Sequence, residues 1–201
     1  MKKGIILIDC GHGIDTPGKR SPDGKLLEYL FNRQVGEYAF RYLEDAGFRV
    51  AFVVDETNDI PLSTRVRRVN RVCERVGSKN VILLSLHADA YGNGREWTSP
   101  NGWAAWTSKG KTESDNIASA LYKAFEEEFA DRRIRKNWTD GDPDYEENFY
   151  ILTKTKCPAV LLENFFYTNK EECAFMLEED TKKRIARAIV TGLLYYYAEK
   201  Q

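Results

Sequence analysis

Ile5-Ile6-Leu7-Ile8-Asp9-Cys10-Gly11-His12-Gly13 is the stretch on which the reading of this chain turns. Four apolar, mostly β-branched residues predict a short buried strand. The strand breaks into a glycine-flanked turn that carries a histidine. Gly11 and Gly13 let the backbone turn tightly and keep Cβ bulk away from the imidazole. The design recurs twice: Val81-Ile82-Leu83-Leu84-Ser85-Leu86 runs into His87, and Ala159-Val160-Leu161-Leu162 runs into Glu163. Each apolar run ends on a group able to bind a metal or move a proton. The chain has only 2 histidines, and both stand in these positions. A single histidine beside a core strand is ordinarily structural; the pair together with Glu163 is not read that way.

Working outward, residues 14–25 form a polar, turn-rich loop over the strand end. Leu27, Phe31, Val35, Tyr38, Ala39, Tyr42, Leu43 and Ala46 then recur at helical spacing, with Gly47 suited to the C-terminal cap and Glu28 in the first turn. Residues 48–54 predict a second strand. Ser63 is placed to cap a helix carrying Val66, Val69, Val72, Cys73 and Val76. In that helix Arg65, Arg67, Arg68 and Arg71 read as a solvated face. Residues 81–86 are the third strand and 103–107 a fourth. A helix is expected over 114–130, a long charged loop over 131–147, strands over 148–153 and 158–163, and two helices over 171–200.

Strands alternating with helices imply a single-domain α/β sandwich, with a largely parallel mixed sheet of about six strands flanked by helices. A chain of 201 residues fits one domain, here taken as residues 1–201. Sites in such sheets form at the carboxyl ends of strands, which would bring His12, His87 and Glu163 to one cleft. Lys and Arg number 30 against 31 Asp and Glu, so no global charge favours nucleic acid or an anionic membrane. Mean hydropathy of -0.53 and the absence of a long apolar run argue against membrane insertion. The 4 cysteines are widely spaced and read as reduced thiols. Cys10 points away from the side that Asp9 faces and is read as a packed thiol. Met1-Lys2-Lys3 hints at a secretion signal, but the apolar run stops at Asp9, too short for one.

Two neutral imidazoles and one carboxylate make a common catalytic zinc set with a fourth position open to water. The ion lowers the pKa of that water to about 7, and a second carboxylate must then move its proton. Glu28 and Glu163 are the candidates for the two carboxylate roles, and pattern alone leaves their assignment open.

At this point the chain resembles the zinc-dependent N-acetylmuramoyl-L-alanine amidases of the amidase 3 type. The shared features run in order: the strand and turn Ile8-Asp9-Cys10-Gly11-His12-Gly13; Glu28 with Asn32; Leu62-Ser63-x-Arg65; Ser85-Leu86-His87-Ala88-Asp89; residues 148–152; residues 158–163; and Thr168-Asn169-Lys170-Glu171-Glu172. The resemblance implies Zn2+ held by His12, Glu28 and His87, with Glu163 as general base and acid. The bond implied is the amide between the lactyl group of N-acetylmuramic acid and L-alanine in peptidoglycan. Asp9 is then either a partner that orients a ligand histidine or a cap on backbone amides. Cys10 stands where the family usually has proline, and Asn164-Phe165 where it usually has leucine-glycine, a departure beside the base that bears on substrate detail. Some members carry an inhibitory helix after the second histidine. Residues 91–102 are too short for such a plug, so an open, unregulated site is expected, as suits a phage or prophage lysin acting at the cell wall. Tyr91 and Trp97 are placed to stack on sugar or peptide, Trp103 to pack in the core, and residues 138–144 to border the cleft. A monomer is expected, with peptidoglycan as partner. The rival readings are a zinc peptidase cutting within the stem peptide, a non-catalytic wall-binding module, and a nucleotide-binding protein, the last lacking any phosphate-loop spacing.

Overall fold

The computed structural model describes residues 3–200. Strands β1 (Ile5–Cys10), β2 (Arg49–Phe52), β3 (Val81–Asp89), β4 (Ala104–Thr107), β5 (Tyr145–Glu146) and β6 (Ala159–Phe166) form one sheet in the order β2-β1-β3-β6-β4-β5. β1, β2, β3 and β6 are mutually parallel, whereas β4 runs antiparallel to β6. The expected mixed, largely parallel sheet of about six strands is what forms.

Helices α1 (Glu28–Asp45), α2 (Leu62–Val76), α3 (Glu113–Glu128), α4 (Tyr150–Lys154), α5 (Lys170–Leu177) and α6 (Glu179–Ala198) cover both faces. Side chains alternate across a strand, so each apolar run supplies two cores. Ile6, Ile8, Leu84, Leu86 and Leu162 join the larger core with residues of α1, α3 and α6. Leu7, Leu83 and Leu161 join the smaller core with Val66 and Val69 of α2 and Ile151 and Leu152 of α4. α3 begins on a capping box between Thr112 and Asp115, one turn of chemistry that fixes its start. α1 ends with Gly47 just beyond its cap at φ 80°, a conformation glycine adopts without strain.

Three expectations are corrected. Residues 148–153 do not form a strand: Tyr150–Lys154 is a short helix, and Tyr145–Glu146 takes the sheet edge beside β4. A short apolar run does not distinguish strand from helix, and here the two consecutive buried residues Ile151 and Leu152 face α2 and the sheet from a helical turn. Ser63 does not cap α2, which starts after Pro61. Arg65 is not on a solvated face: it is 2% exposed, among the most buried large side chains. Cys10, Cys73, Cys157 and Cys173 are all buried free thiols, as expected, and burial raises the Cys10 thiol to about 12.

Candidate metal centre and active-site cleft

His12 sits one turn beyond β1 with φ 63°, a left-handed conformation that costs a non-glycine residue about 1–2 kcal/mol. Its neighbours hold it there. Gly11 N–H donates to the Leu86 carbonyl at 2.9 Å and Gly13 N–H to the Thr16 hydroxyl at 2.9 Å. Asn32 donates to the Gly11 carbonyl at 3.2 Å, and Arg33 to the His12 carbonyl at 3.0 Å. The glycines are required by close approach. A Cβ on Gly11 would fall 2.2 Å from His87 Cε1, and one on Gly13 would fall 1.9 Å from the Asp59 amide nitrogen.

The sheet places the other groups. His87 and Glu163 are register partners on the parallel strands β3 and β6, so both project from the same sheet face. Glu28 is the first residue of α1 and is fully buried. Its Oε1 lies 3.3 Å from His12 Nε2 and 3.3 Å from His87 Nδ1, and accepts from the Ala88 N–H at 3.2 Å. One ligand atom from each of His12, Glu28 and His87 lies within 4.8 Å of the others. The imidazoles meet edge to face with centroids 5.0 Å apart. Burial opposes ionisation of Glu28, but hydrogen bonds and charge from His12 and His87 outweigh it, holding the carboxyl well below its usual range. Its Oε2 is buried without a hydrogen-bond partner, 3.7 Å from Lys19 Nζ. Two imidazoles and a carboxylate converging on one point, with an orphaned carboxylate oxygen, fit a divalent metal ion.

Glu163 faces a cleft of about 590 Å³ whose lining includes His12, His87, Lys19 and Leu161. Its Oε2 is buried and unpartnered. Burial, followed by the negative charges of Asp89 and Glu28, raises its carboxyl well above the usual range. The opposite wall is apolar: Ile60, Pro61 and Leu62 lead into α2, and Phe149, Tyr150 and Ile151 come from the start of α4. Reading 148–153 as a strand hid this wall. Tyr91, Trp97 and residues 138–144 do not line the cleft. Trp103 packs in the core as expected, stacked on Phe125 at 3.9 Å.

Asp9 fills neither role foreseen for it. Its Oδ1 pairs with Arg65 Nη1 at 2.8 Å and its Oδ2 accepts from Ser85 at 2.9 Å. Arg65 also donates to the Cys10 carbonyl at 2.8 Å, the Ile60 carbonyl at 2.7 Å and Asp59 at 2.9 Å. It ties the strand end before His12 to the loop that starts α2. The departures at 164 and 165 are structural too. Asn164 is buried, donates to the His87 carbonyl at 3.0 Å and accepts from Trp103 Nε1 at 3.1 Å. Phe165 occupies a register shift in β6 with φ 68°, and its buried ring packs on Phe129 and Phe175. The run Arg65-Arg67-Arg68-Arg71 gave no sign that one of its members is buried. The acid at the end of β1 was the only available hint.

Fold and site together define an α/β sandwich whose strand ends gather a two-histidine, one-carboxylate set suited to a divalent metal, with a second carboxylate beside it on the same cleft. The match of residues 6–195 to the family Amidase_3, N-acetylmuramoyl-L-alanine amidase, shows that the chain belongs to it. It is 24% identical over 232 residues to the N-acetylmuramoyl-L-alanine amidase AmiC of Neisseria meningitidis serogroup B, covering 97% of this chain and 53% of that protein. It is 25% identical over 199 residues to the probable cell wall amidase LytH of Staphylococcus epidermidis, covering 98% and 60%. The chain thus spans between 53% and 60% of the length of these curated relatives. The crystal structure of an N-acetylmuramoyl-L-alanine amidase from Clostridium difficile 630 shares the fold, with TM-score 0.84 over 99% of both chains at 24% identity.

Proposed function

We propose that residues 1–201 form a catalytic domain that hydrolyses the amide between the lactyl group of N-acetylmuramic acid and L-alanine in peptidoglycan, at the bacterial cell wall. The convergence of His12, Glu28 and His87 on a cleft that Glu163 also lines carries the reading, within a chain of this family. His12, Glu28 and His87 are the residues that would hold Zn2+. When bound, such an ion supplies Lewis acidity and brings a water into the neutral range as a nucleophile. Glu163 accepts the proton of the attacking water and delivers it to the departing alanine amine. Burial raises its carboxyl above the usual range, which makes it a stronger proton acceptor than an exposed carboxylate. Asn164 holds the His87 carbonyl, and Arg65, on the cleft lining, holds the turn before His12. The apolar wall from Ile60 to Leu62 and from Phe149 to Ile151 offers a surface for the methyl-rich lactyl and alanyl groups.

Residues 91–102 contain no helix and do not line the cleft, so the domain is proposed to act without an activator. Digestion of purified peptidoglycan by the metal-loaded protein tests the reading. New L-alanine amino termini are expected, lost on chelation and restored by zinc. Glu163→Gln should lower the rate by about 10²–10⁴ while keeping the metal. New termini within the stem peptide would make the protein a peptidase. Undiminished lysis by the Gln variant would make it a wall-binding module.

A further inference from the structure

The segment before and through β5 alternates acidic residues: Asp140-Gly141-Asp142-Pro143-Asp144-Tyr145-Glu146. None of these residues lines the cleft. Asp144 is 1% exposed. Its Oδ2 accepts from the Thr107 hydroxyl at 2.6 Å, and its Oδ1 is buried with no partner. Asp142 turns its carboxyl toward that of Asp144, near enough to share a hydrogen, and its own Oδ1 is also buried and unpartnered. Asp115 lies nearby, with its carboxylate engaged by Thr112 at the start of α3.

No donor answers these oxygens. Among the described residues, Asp115, Asp142 and Asp144 form no ion pair with any Lys or Arg. Of the lysines along the adjoining cavity, Lys136 is paired with Glu126 at 2.5 Å, and Lys123 sits 4.4 Å over the Tyr195 ring. Two facing carboxylates, one of them buried, repel unless one takes up a proton or a cation lies between them. Burial first, then Asp142 and Asp115, push the Asp144 carboxyl up to about 8 against the opposing Thr107 hydrogen bond. Every available donor is an oxygen, the chemistry of a hard divalent cation rather than of zinc.

We propose that Asp142 and Asp144, beside the Thr107 hydroxyl, form a calcium-type cation site separate from the His12–Glu28–His87 set. A cation there fastens the 137–147 segment to β4. Asp144 runs directly into β5, and β5 is followed within a few residues by Phe149 and Tyr150 of the cleft wall. The site thus braces one side of the cleft from behind. This inference stands whether or not the amidase reading holds.

Terbium is the probe, because the Trp106 and Tyr145 rings, centroids 4.8 Å apart beside Asp144, can sensitise its emission. Wild-type protein should give terbium luminescence that calcium chloride displaces. Asp142→Asn and Asp144→Asn, checked for native circular dichroism, should each lose it, while His12→Ala keeps it. At a hundredfold excess of calcium over its Kd, the wild-type Tm should rise by roughly 5–10 °C and that of either Asn variant should not. Emission that follows His12→Ala instead would place the ion at the other site and overturn the proposal. A wild-type Tm indifferent to calcium, with Asp144→Asn more stable than wild type, would overturn it in favour of a proton held between the two carboxyls.

Discussion

Replacing Arg65 with methionine should cost more than any surface substitution in the chain. Arg65 is 2% exposed and Asp9 is 1% exposed, so their pair is cut off from solvent. Arg65→Met leaves the buried Asp9 carboxyl with only the Ser85 hydroxyl, and strips the Cys10 and Ile60 carbonyls of a donor. Removing one partner of a buried pair typically costs about 3–5 kcal/mol, because the remaining charge stays buried and unanswered. Asp59, the third partner, has 37% of its side chain exposed and rehydrates, so it adds little. For a chain of this size the loss corresponds to roughly 6–20 °C in Tm. Asp9→Asn combined with Arg65→Met removes the orphaned charge, so the double variant should recover roughly 1–3 kcal/mol relative to additivity. Urea unfolding followed by tryptophan fluorescence reads both quantities. A single-variant cost below about 1 kcal/mol, or a strictly additive cycle, would refute the claim that this pair is energetically coupled. The same variant carries a second readout. The Cys10 carbonyl lies two residues before His12, and loosening it should weaken metal affinity by about 10–100-fold, as loss of an orienting partner commonly does.

The other predictions are narrower. Gly11→Ala drives a methyl into the His87 ring, 2.2 Å from Cε1, and should reduce metal bound per mole of protein at sub-micromolar metal while leaving circular dichroism native. Phe165→Gly relieves about 1–2 kcal/mol of left-handed strain but removes a buried ring worth about 3–5 kcal/mol, so urea unfolding should show a net loss of roughly 1–4 kcal/mol. In calcium-free buffer, Asp144 has a folded pKa of about 8 against an ordinary 3.8. The folded protein therefore holds a proton that the unfolded chain has already released. Stability should fall as pH rises from roughly 4 to 8, and Asp144→Asn should flatten that slope in a Tm-against-pH series.

The residues that end strands are legible in the sequence alone. The turn after Ile8, the runs into His87 and Glu163, and Glu28 at the head of the first long helix all follow from local pattern. Strand and helix periodicity record which side of an element is buried, and strand polarity brings the carboxyl ends together. The order of the strands and the antiparallel entry of β4 are not written in any one segment, because they depend on which faces meet. The same limit explains the misread residues. Ile151 and Leu152 are apolar in a helix as in a strand, and only the occupation of the sheet edge by Tyr145 and Glu146 decides between them. Arg65 has the same neighbours in sequence as its exposed companions; it is buried because Asp9, 56 residues away along the chain, waits at the end of β1. Phe165 accepts a backbone conformation suited to glycine because Phe129 and Phe175 pack around its ring. Sequence by itself determined the chemical groups and the local elements that carry them. Tertiary structure decided which charges are paired, which backbone positions are strained and what walls the cleft, because those depend on contacts between segments that no local pattern encodes.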